Sequence, residues 1–148
     1  MSNKKVKIFF PINKDNDKPK TESVWAEGNG SGNFRIDNIP FFTYGISHND
    51  IVSAKLNEEN LLFFQKIIKR GGHSTLRLFF KSKLSEQEKQ FEMDKLNKRG
   101  AVVERATESL FAIDVPLNAN LHSVKSLLQE GERRGIWEYE EGYIYDGR

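Results

Sequence analysis

The order of apolar segments in the second half of the chain constrains the fold more than any other feature of this sequence. Residues 75–80, 101–106, 110–115 and 136–145 are short apolar runs, and their length and composition predict strands. Helical patterns separate the first run from the second and the third run from the fourth. Residues 74–145 therefore have the order β-α-β-β-α-β, which is that of a ferredoxin-like fold and by itself indicates no function.

Both helices are predicted from local signals. Ser85 and Glu88 have the spacing of a capping box, and Gly100 provides a stop for the first helix. The second helix carries the clearest helical stripe in the chain, formed by Leu121, Val124, Leu127 and Leu128. Either Gly131 or Gly135 is expected to end it.

The first half of the chain has a different rhythm, with many short strands at close spacing. Residues 5–11, 22–27 and 61–68 are the clearest examples. Such a pattern predicts a small, partly open barrel. The expected fold class is therefore α+β. It would comprise a β-rich, barrel-like subdomain over residues 1–70 and a ferredoxin-like subdomain over residues 71–148, unless both halves form one continuous domain.

Composition excludes several classes of chemistry. None of the 148 residues is cysteine, which rules out disulfides, thiolate catalysis, zinc–thiolate sites and iron–sulfur clusters. The apolar stretch at residues 6–12 is too short and too interrupted for a signal sequence or a membrane span. We therefore expect a cytoplasmic protein that does not associate with a membrane and carries no cofactor.

Charge is distributed unevenly along the chain, although the net charge is only +2. Residues 65–99 carry ten basic and four acidic side chains, whereas residues 100–148 carry five basic and nine acidic ones. Phe79 and Phe80 lie within the basic region, and aromatic side chains beside basic ones can bind single strands by stacking and phosphate contact. The basic side chains concerned are Lys66, Lys69, Arg70, Lys81 and Lys83. Binding of single-stranded nucleic acid through residues 65–83 is the alternative function.

The histidines do not have the paired spacing of metal ligands. His48, His73 and His122 are far apart, so no metal site is predicted. A fold that gathered His48 and the adjacent residues up to Asp50 beside His73 would still form a metal or acid–base pair. No nucleophile occurs with a base and an orienting group, so we predict no catalytic residue and no enzyme. A small ligand-binding or enzymatic domain around His73 is a third hypothesis.

The best single candidate for a ligand or anion site follows the Gly71-Gly72 pair. Two glycines permit a sharp turn whose exposed N–H groups could hold an anion beside Arg77. The candidate residues are His73, Ser74, Thr75, Arg77 and Asp50. The spacing of a phosphate-binding loop is missing. We favour a structural interpretation, in which Arg77 pairs with Asp37, Asp50 or Glu27 and locks the two halves together.

The C-terminal segment, residues 137–146, combines aromatic and acidic side chains. Strand alternation puts the aromatic residues on one side and Glu138 and Glu140 on the other. If the aromatic side faces the core, the acidic side is exposed and could complement a basic surface on a partner. A terminal strand with a solvated face is the simpler interpretation. The candidate partner-binding residues are Trp137, Tyr139, Glu138, Glu140, Glu141 and Asp146.

A combination of short stretches is characteristic. They are residues 22–27 (ESVWAE), 36–42 (IDNIPFF), 45–47 (GIS), 50–52 (DIV), 72–77 (GHSTLR), 112–116 (AIDVP) and 137–142 (WEYEEG). Together they resemble a bacterial family catalogued as domain of unknown function 4265, over residues 21–142. The resemblance implies a bacterial origin and a small self-contained protein, and it implies no activity, cofactor or catalytic residue.

The leading functional hypothesis is a non-enzymatic bacterial protein that binds another protein. Its most concrete version is an immunity protein that neutralises a cognate toxin. This version is an analogy with other small bacterial proteins, and the partner would then be a bacterial toxin domain.

Overall fold

The computed structural model describes residues 4–15 and 18–147 of the chain. These residues form nine strands and two helices. The first five strands are β1 (Lys5–Asp15), β2 (Lys18–Gly28), β3 (Asn33–Ile36), β4 (Ile51–Leu56) and β5 (Leu62–Lys69). The other elements are β6 (Ser74–Phe80), α1 (Glu86–Lys98), β7 (Val102–Arg105), β8 (Leu110–Val115), α2 (Leu121–Arg133) and β9 (Trp137–Tyr143). The α+β class predicted from the sequence is confirmed.

The first five strands form a ring-like sheet, which we call the ring. Consecutive strands pair antiparallel, and β1 also pairs parallel with β5 at Ile8 and Phe9. This last pairing closes the sheet that the sequence predicted to be partly open. Apolar side chains inside the ring form a core of their own: Ile8, Phe10, Val24, Ala26, Ile36, Ile46 and Val52.

The second sheet has the strand order β7-β8-β6-β9, with every neighbouring pair antiparallel. This order, with α1 and α2 as the two crossovers, confirms the predicted ferredoxin-like half. Leu76, Leu78 and Phe80 of β6 point toward the helices and lie in a second core with Leu128 and Trp137. The opposite face of β6 carries the side chains that contact the ring.

Local capping signals set the helix ends as predicted. The Ser85 hydroxyl accepts a hydrogen bond from the Glu88 backbone N–H at 3.1 Å, and the Ser85 N–H donates to the Glu88 carboxylate at 3.0 Å. After α1 the chain turns at Gly100, whose φ of +92° lies in the left-handed region that favours glycine.

Among the described helices, none has both the length and the apolar character needed to cross a membrane.

Gly131 lies inside α2, and Gly135 follows the end of the helix. A Cβ atom at Gly131 would overlap the indole ring of Trp137, which packs against the helix backbone there. Gly135 has a φ of +75°, the conformation expected at a helix stop. The glycine inside the helix is therefore required for packing, and the second glycine ends the helix.

Candidate functional site

Charged side chains connect the ring to the ferredoxin-like half. Two of them bind the same backbone segment, residues 40–43 between β3 and β4, which we call the clamp segment. The Glu22 carboxylate accepts hydrogen bonds from three backbone N–H groups of this segment, at 2.6 to 3.1 Å. The buried guanidinium of Arg77 donates to two of its carbonyl oxygens at 3.1 Å and to a third at 3.5 Å. The clamp segment is thus held by an anion from the ring and a cation from the second sheet.

Arg77 joins the two halves, but its carboxylate partner differs from those expected. Its Nε donates to Glu140 Oε2 at 2.6 Å. Glu140 lies directly across from it on β9. The three expected partners bind other side chains: Asp37 contacts Lys5 and His48, Asp50 contacts Arg70, and Glu27 contacts Arg35.

The turn expected to hold an anion is filled by a carboxylate of the chain itself. The Gly71 N–H donates to Asp50 Oδ1 at 2.9 Å. The other oxygen of Asp50 accepts from the Ser47 N–H at 3.0 Å and from Arg70 at 3.1 Å. Asp50 is fully buried. The carboxylate therefore has a structural role, and the Gly71 N–H is not available to a ligand.

The two hydroxyl candidates also make internal contacts. Ser74 Oγ accepts from the Tyr145 N–H at 2.9 Å. Thr75 Oγ1 donates to the Ile46 carbonyl at 3.2 Å and lies 2.6 Å from Ser47 Oγ. The structure therefore does not gather the five candidate ligand residues into one site.

His73, the remaining candidate, belongs to a separate group that we call the histidine–aspartate cluster: His48, His73 and Asp114. One ligand atom from each residue lies within 4.8 Å of the other two. His73 Nδ1 is 2.8 and 2.9 Å from the two carboxylate oxygens of Asp114. His48 Nδ1 is 3.9 Å from Asp114 Oδ2. The two histidines thus do come together, with Asp114 in place of the Asp50 considered from the sequence.

Burial controls the electrostatics of the cluster. It is the largest effect on the Asp114 carboxyl and raises its pKa, while the His73 hydrogen bond and the nearby imidazoles oppose the shift. Burial also raises the pKa of Asp37, but hydrogen bonds from Lys5 and His48 outweigh it, so the pKa of Asp37 is lowered. The Asp37 carboxylate lies 3.2 Å from His48 Nε2 and thereby orients that imidazole.

Asp114 is the cluster member that sequence reasoning did not identify. It is the charged residue of β8, whose other residues are apolar and almost all buried. Burying a carboxylate in such a strand costs free energy unless the carboxylate has a partner. An aspartate within an apolar run therefore indicates a buried, paired residue, and this signal was present in the sequence. Glu22, which binds the clamp segment, lies at the start of a predicted strand, where nothing in the sequence separates it from a solvated residue.

The predicted partner-binding residues of β9 divide into buried and exposed groups. Trp137 is fully buried, and its indole N–H donates to the Leu128 carbonyl at 2.8 Å. Tyr139 packs against the same core. Trp137 therefore offers no contact surface, and Tyr139 is only partly exposed. The exposed members are Glu138, Glu140, Glu141 and Asp146, of which Glu141 lies 2.9 Å from Lys125 on α2.

The predicted alternation along β9 fails after Glu141. The pairing with β6 shifts register there, so that Glu141 lies opposite Leu76 and Tyr143 opposite Thr75. Tyr143 consequently stacks on Arg70, whose Cζ is 3.8 Å from the ring centroid. Gly142, the residue skipped by the shift, has little space for a side chain, because a Cβ there would lie 3.1 Å from the Arg77 guanidinium.

Exposed aromatic side chains lie beside the acidic residues of β9. Phe42, Tyr44 and Phe79 are 51%, 57% and 50% exposed. The Tyr44 hydroxyl donates to Glu140 at 2.6 Å, and Phe79 is the cross-strand neighbour of Glu138. Phe42 lies in the clamp segment, and its carbonyl oxygen accepts a hydrogen bond from Arg77 at 3.5 Å. We call Phe42, Tyr44, Phe79, Glu138 and Glu140 the aromatic–acidic surface.

The aromatic and basic residues considered for nucleic-acid binding are only partly available. Phe80 is buried in the second core, which leaves Phe79 exposed. Lys81 lies 3.6 Å from Glu138. Arg70 is engaged by Asp50 and Tyr143. The remaining basic side chains are exposed: Lys66, Lys69 and Lys83.

Comparisons with known proteins agree with this fold. The model of a family described as Domain of unknown function (DUF4265) matches residues 22–139, which is most of the chain. A hypothetical protein from Neisseria gonorrhoeae has a similar solved structure, with a TM-score of 0.82 and 21% sequence identity over 97% of this chain and 98% of that one. At this identity the similarity shows the fold alone. No curated protein matches the sequence.

Proposed function

Since the chain belongs to the family described as Domain of unknown function (DUF4265), whose description names no activity, we propose its function from its own surfaces. We propose that it is a non-enzymatic cytoplasmic protein of bacteria that binds another protein. The partner contacts the aromatic–acidic surface.

The observation that carries this proposal is the fixed position of an exposed aromatic group. Tyr44 is more than half exposed, yet its hydroxyl is bonded to Glu140 and its ring lies 4.9 Å from the Arg77 Cζ. A side chain that is already held in place loses little conformational entropy on binding. Exposed Tyr and Phe side chains of this kind supply a large part of the binding energy at protein interfaces.

Charge supports a protein partner over a nucleic acid. Glu138 and Glu140 contribute negative charge to the aromatic–acidic surface, and their partners Lys81 and Arg77 balance it. A phosphate backbone is bound by excess positive charge, which this surface lacks. The central part of a protein interface is typically aromatic and poor in unpaired charge.

Affinity capture with paired variants tests the proposal. The tagged chain is expressed in its native bacterium, and the captured proteins are quantified for the wild type, Phe79→Ser and the control Phe91→Ser. Phe91 is 62% exposed and lies on α1, outside the aromatic–acidic surface. We expect Phe79→Ser to reduce recovery of a specific partner roughly tenfold, as loss of an interface anchor does, while Phe91→Ser recovers it fully. Equal recovery by both variants would contradict the proposal.

Toxin neutralisation is the most concrete form of this function. It rests on the analogy with small bacterial immunity proteins and on the exposed Tyr44 side chain that Glu140 holds in place. Co-expression with a toxin encoded beside this chain should restore growth for the wild type and for Phe91→Ser. The Phe79→Ser variant should not restore it. If the wild type protects against no adjacent toxin, the toxin-neutralisation hypothesis is wrong. The capture experiment then tests protein binding independently.

A further inference from the structure

We propose that the histidine–aspartate cluster is a binding site for a divalent transition-metal ion, and that the ion fastens the ring to the ferredoxin-like half. His48 comes from the segment before β4, His73 from the segment before β6, and Asp114 from β8. The ligands are His48 Nδ1, His73 Nδ1 and an Asp114 carboxylate oxygen. This site is separate from the aromatic–acidic surface and does not depend on the proposed function.

Distances within the cluster lie on both sides of the spacing found in a tetrahedral metal site. Bond lengths for Zn²⁺ to imidazole and carboxylate ligands place neighbouring ligand atoms roughly 3.4 Å apart. His73 Nδ1 lies 2.9 Å from Asp114 Oδ2, His48 Nδ1 lies 3.9 Å from the same oxygen, and the ligand atoms of the three residues lie within 4.8 Å of one another. Side-chain rotations that move these atoms by about an ångström bring all three to the tetrahedral spacing.

The hydrogen bonds around His73 show which of its two ring nitrogens carries the proton. Asn49 Oδ1 accepts from Arg35 at 2.7 Å, so the amide nitrogen of Asn49 faces His73 Nε2, at 3.2 Å. That nitrogen donates, and Nε2 accepts. His73 Nδ1 therefore carries the proton directed at Asp114. A metal ion at Nδ1 displaces this proton to Nε2, which keeps the imidazole neutral, and the Asn49 amide nitrogen turns away from Nε2.

His48 presents a lone pair that has no partner within the described residues. Its Nε2 lies 3.2 Å from the Asp37 carboxylate, and in a neutral imidazole that donates there Nδ1 is the acceptor nitrogen. Nδ1 is buried, has no hydrogen bond, and lies 3.9 Å from an Asp114 oxygen. Two electron-rich atoms that face each other without a proton or cation between them repel, and a bound cation removes this repulsion.

The ligand set selects the class of ion. Two imidazoles and one carboxylate suit Zn²⁺, Co²⁺ or Ni²⁺, whereas Ca²⁺ and Mg²⁺ prefer six or more oxygen ligands. The Asp37 carboxylate on the far nitrogen of His48 is the outer carboxylate that commonly orients a metal-binding histidine. The side chains of His48 and His73 are 27% and 13% exposed, which gives an ion and one water ligand access from solvent.

Titration with the metal alone tests the site. The purified chain is stripped with a chelator and titrated with Zn²⁺ by calorimetry and with Co²⁺ by visible absorption. The wild type should bind one equivalent and show the strong absorption of four-coordinate Co²⁺. The control His122→Ala, which removes an exposed histidine from α2, should behave identically. His48→Ala should weaken binding at least tenfold.

Zn²⁺ should also raise the melting temperature of the wild type by about 5 °C, because it binds only the folded state.

His48→Ala is the informative variant because it leaves the contact between His73 and Asp114 in place. Absence of stoichiometric binding by the wild type would overturn the proposal, as would unchanged binding by His48→Ala. If that variant does not fold, imidazole ¹⁵N shifts of the wild type decide the question. Zn²⁺ should then shift His48 and His73 and leave His122 unmoved, and a shift at His122 alone would overturn the assignment.

Discussion

Arg77 is a buried cation that makes contacts in both halves of the chain. It binds Glu140 on the neighbouring strand and the carbonyl oxygens of the clamp segment, which the ring supplies. Glu140 remains about half exposed, whereas the hydrogen bonds to the Pro40 and Thr43 carbonyl groups are buried. The cost of losing the guanidinium therefore comes mainly from these carbonyls, since buried acceptors without partners are expensive.

Arg77→Met should lower the free energy of unfolding by about 3 kcal/mol, because two buried carbonyls lose their donor and Glu140 loses its partner. Urea denaturation followed by circular dichroism measures the change. Arg105→Met is the matched control, since Arg105 pairs with Glu86 on the protein surface and such pairs contribute little. Equal losses in the two variants would show that Arg77 has no special structural role.

Tyr44 should make stability sensitive to alkaline pH. Its hydrogen bond to Glu140 is the largest effect on its phenol and raises the pKa, as do burial and the negative charge of Glu140. The folded state therefore keeps the proton that the unfolded state loses near pH 10, and this contribution to stability declines as pH rises above that value. The free energy of unfolding, measured between pH 8 and pH 11, should fall more steeply with rising pH for the wild type than for Tyr44→Phe. Parallel curves would contradict the role assigned to this hydroxyl.

Single residues show where prediction from the sequence ends. The sequence favours Arg77 as the residue that locks the two halves together, paired with Asp37, Asp50 or Glu27. Its partner Glu140 lies 63 residues away, and strand pairing alone brings the two together. The same holds for His73 and Asp114, which are 41 residues apart. Side chains that meet only after the sheet has formed leave no spacing pattern in the sequence.

The secondary-structure elements were predictable where their signals are local. The capping box of Ser85 and Glu88 and the leucine stripe of α2 act within one or two helical turns, and both predictions are confirmed. The role of Gly131 was not predictable, because it depends on the Trp137 indole from the following strand. The side chains of β9 change faces of the sheet after Glu141. This change was not predictable either, because the register shift that causes it exists only in the pairing with β6.

Gly131→Ala should destabilise the protein, although the same change at an ordinary helix position stabilises it. Alanine favours the helix by up to about 1 kcal/mol over glycine, but the new Cβ would collide with Trp137. We expect a net loss of about 2 kcal/mol from the forced displacement of the indole. Thermal unfolding measures it, and near-ultraviolet circular dichroism should report the moved tryptophan. Ser126→Ala, at an exposed position of α2, is the control and should leave stability unchanged or slightly higher. A stabilised Gly131→Ala variant would mean that the indole packs elsewhere.

At the scale of the whole molecule, the residues that the structure describes form two cores joined by contacts across their junction. The ring and the ferredoxin-like half each bury their own apolar cluster. The clamp segment, the Arg70–Tyr143 stack and a backbone hydrogen bond from the Gly45 N–H to the Gly142 carbonyl cross the junction. Because these contacts are buried or charged, we expect neither half to unfold without disrupting the other.

The chain has two tryptophans, one in each half, which makes this coupling measurable. Trp25 lies on β2 of the ring and Trp137 on β9 of the second sheet. After labelling with fluorotryptophan, the two native ¹⁹F resonances, assigned with Trp25→Phe, should disappear at the same urea concentration. Two separate midpoints would show that the halves are independent folding units.

The sharpest test of the proposed binding surface is photo-crosslinking at single positions in living bacteria. A photoreactive phenylalanine analogue replaces Phe79 on the aromatic–acidic surface, or Phe91 on α1 as the control. Both side chains are at least half exposed, so accessibility is comparable. Binding through the aromatic–acidic surface predicts one discrete crosslinked protein at position 79 and none at position 91. The same products at both positions, or no product at position 79 while the partner is captured at position 91, would contradict it.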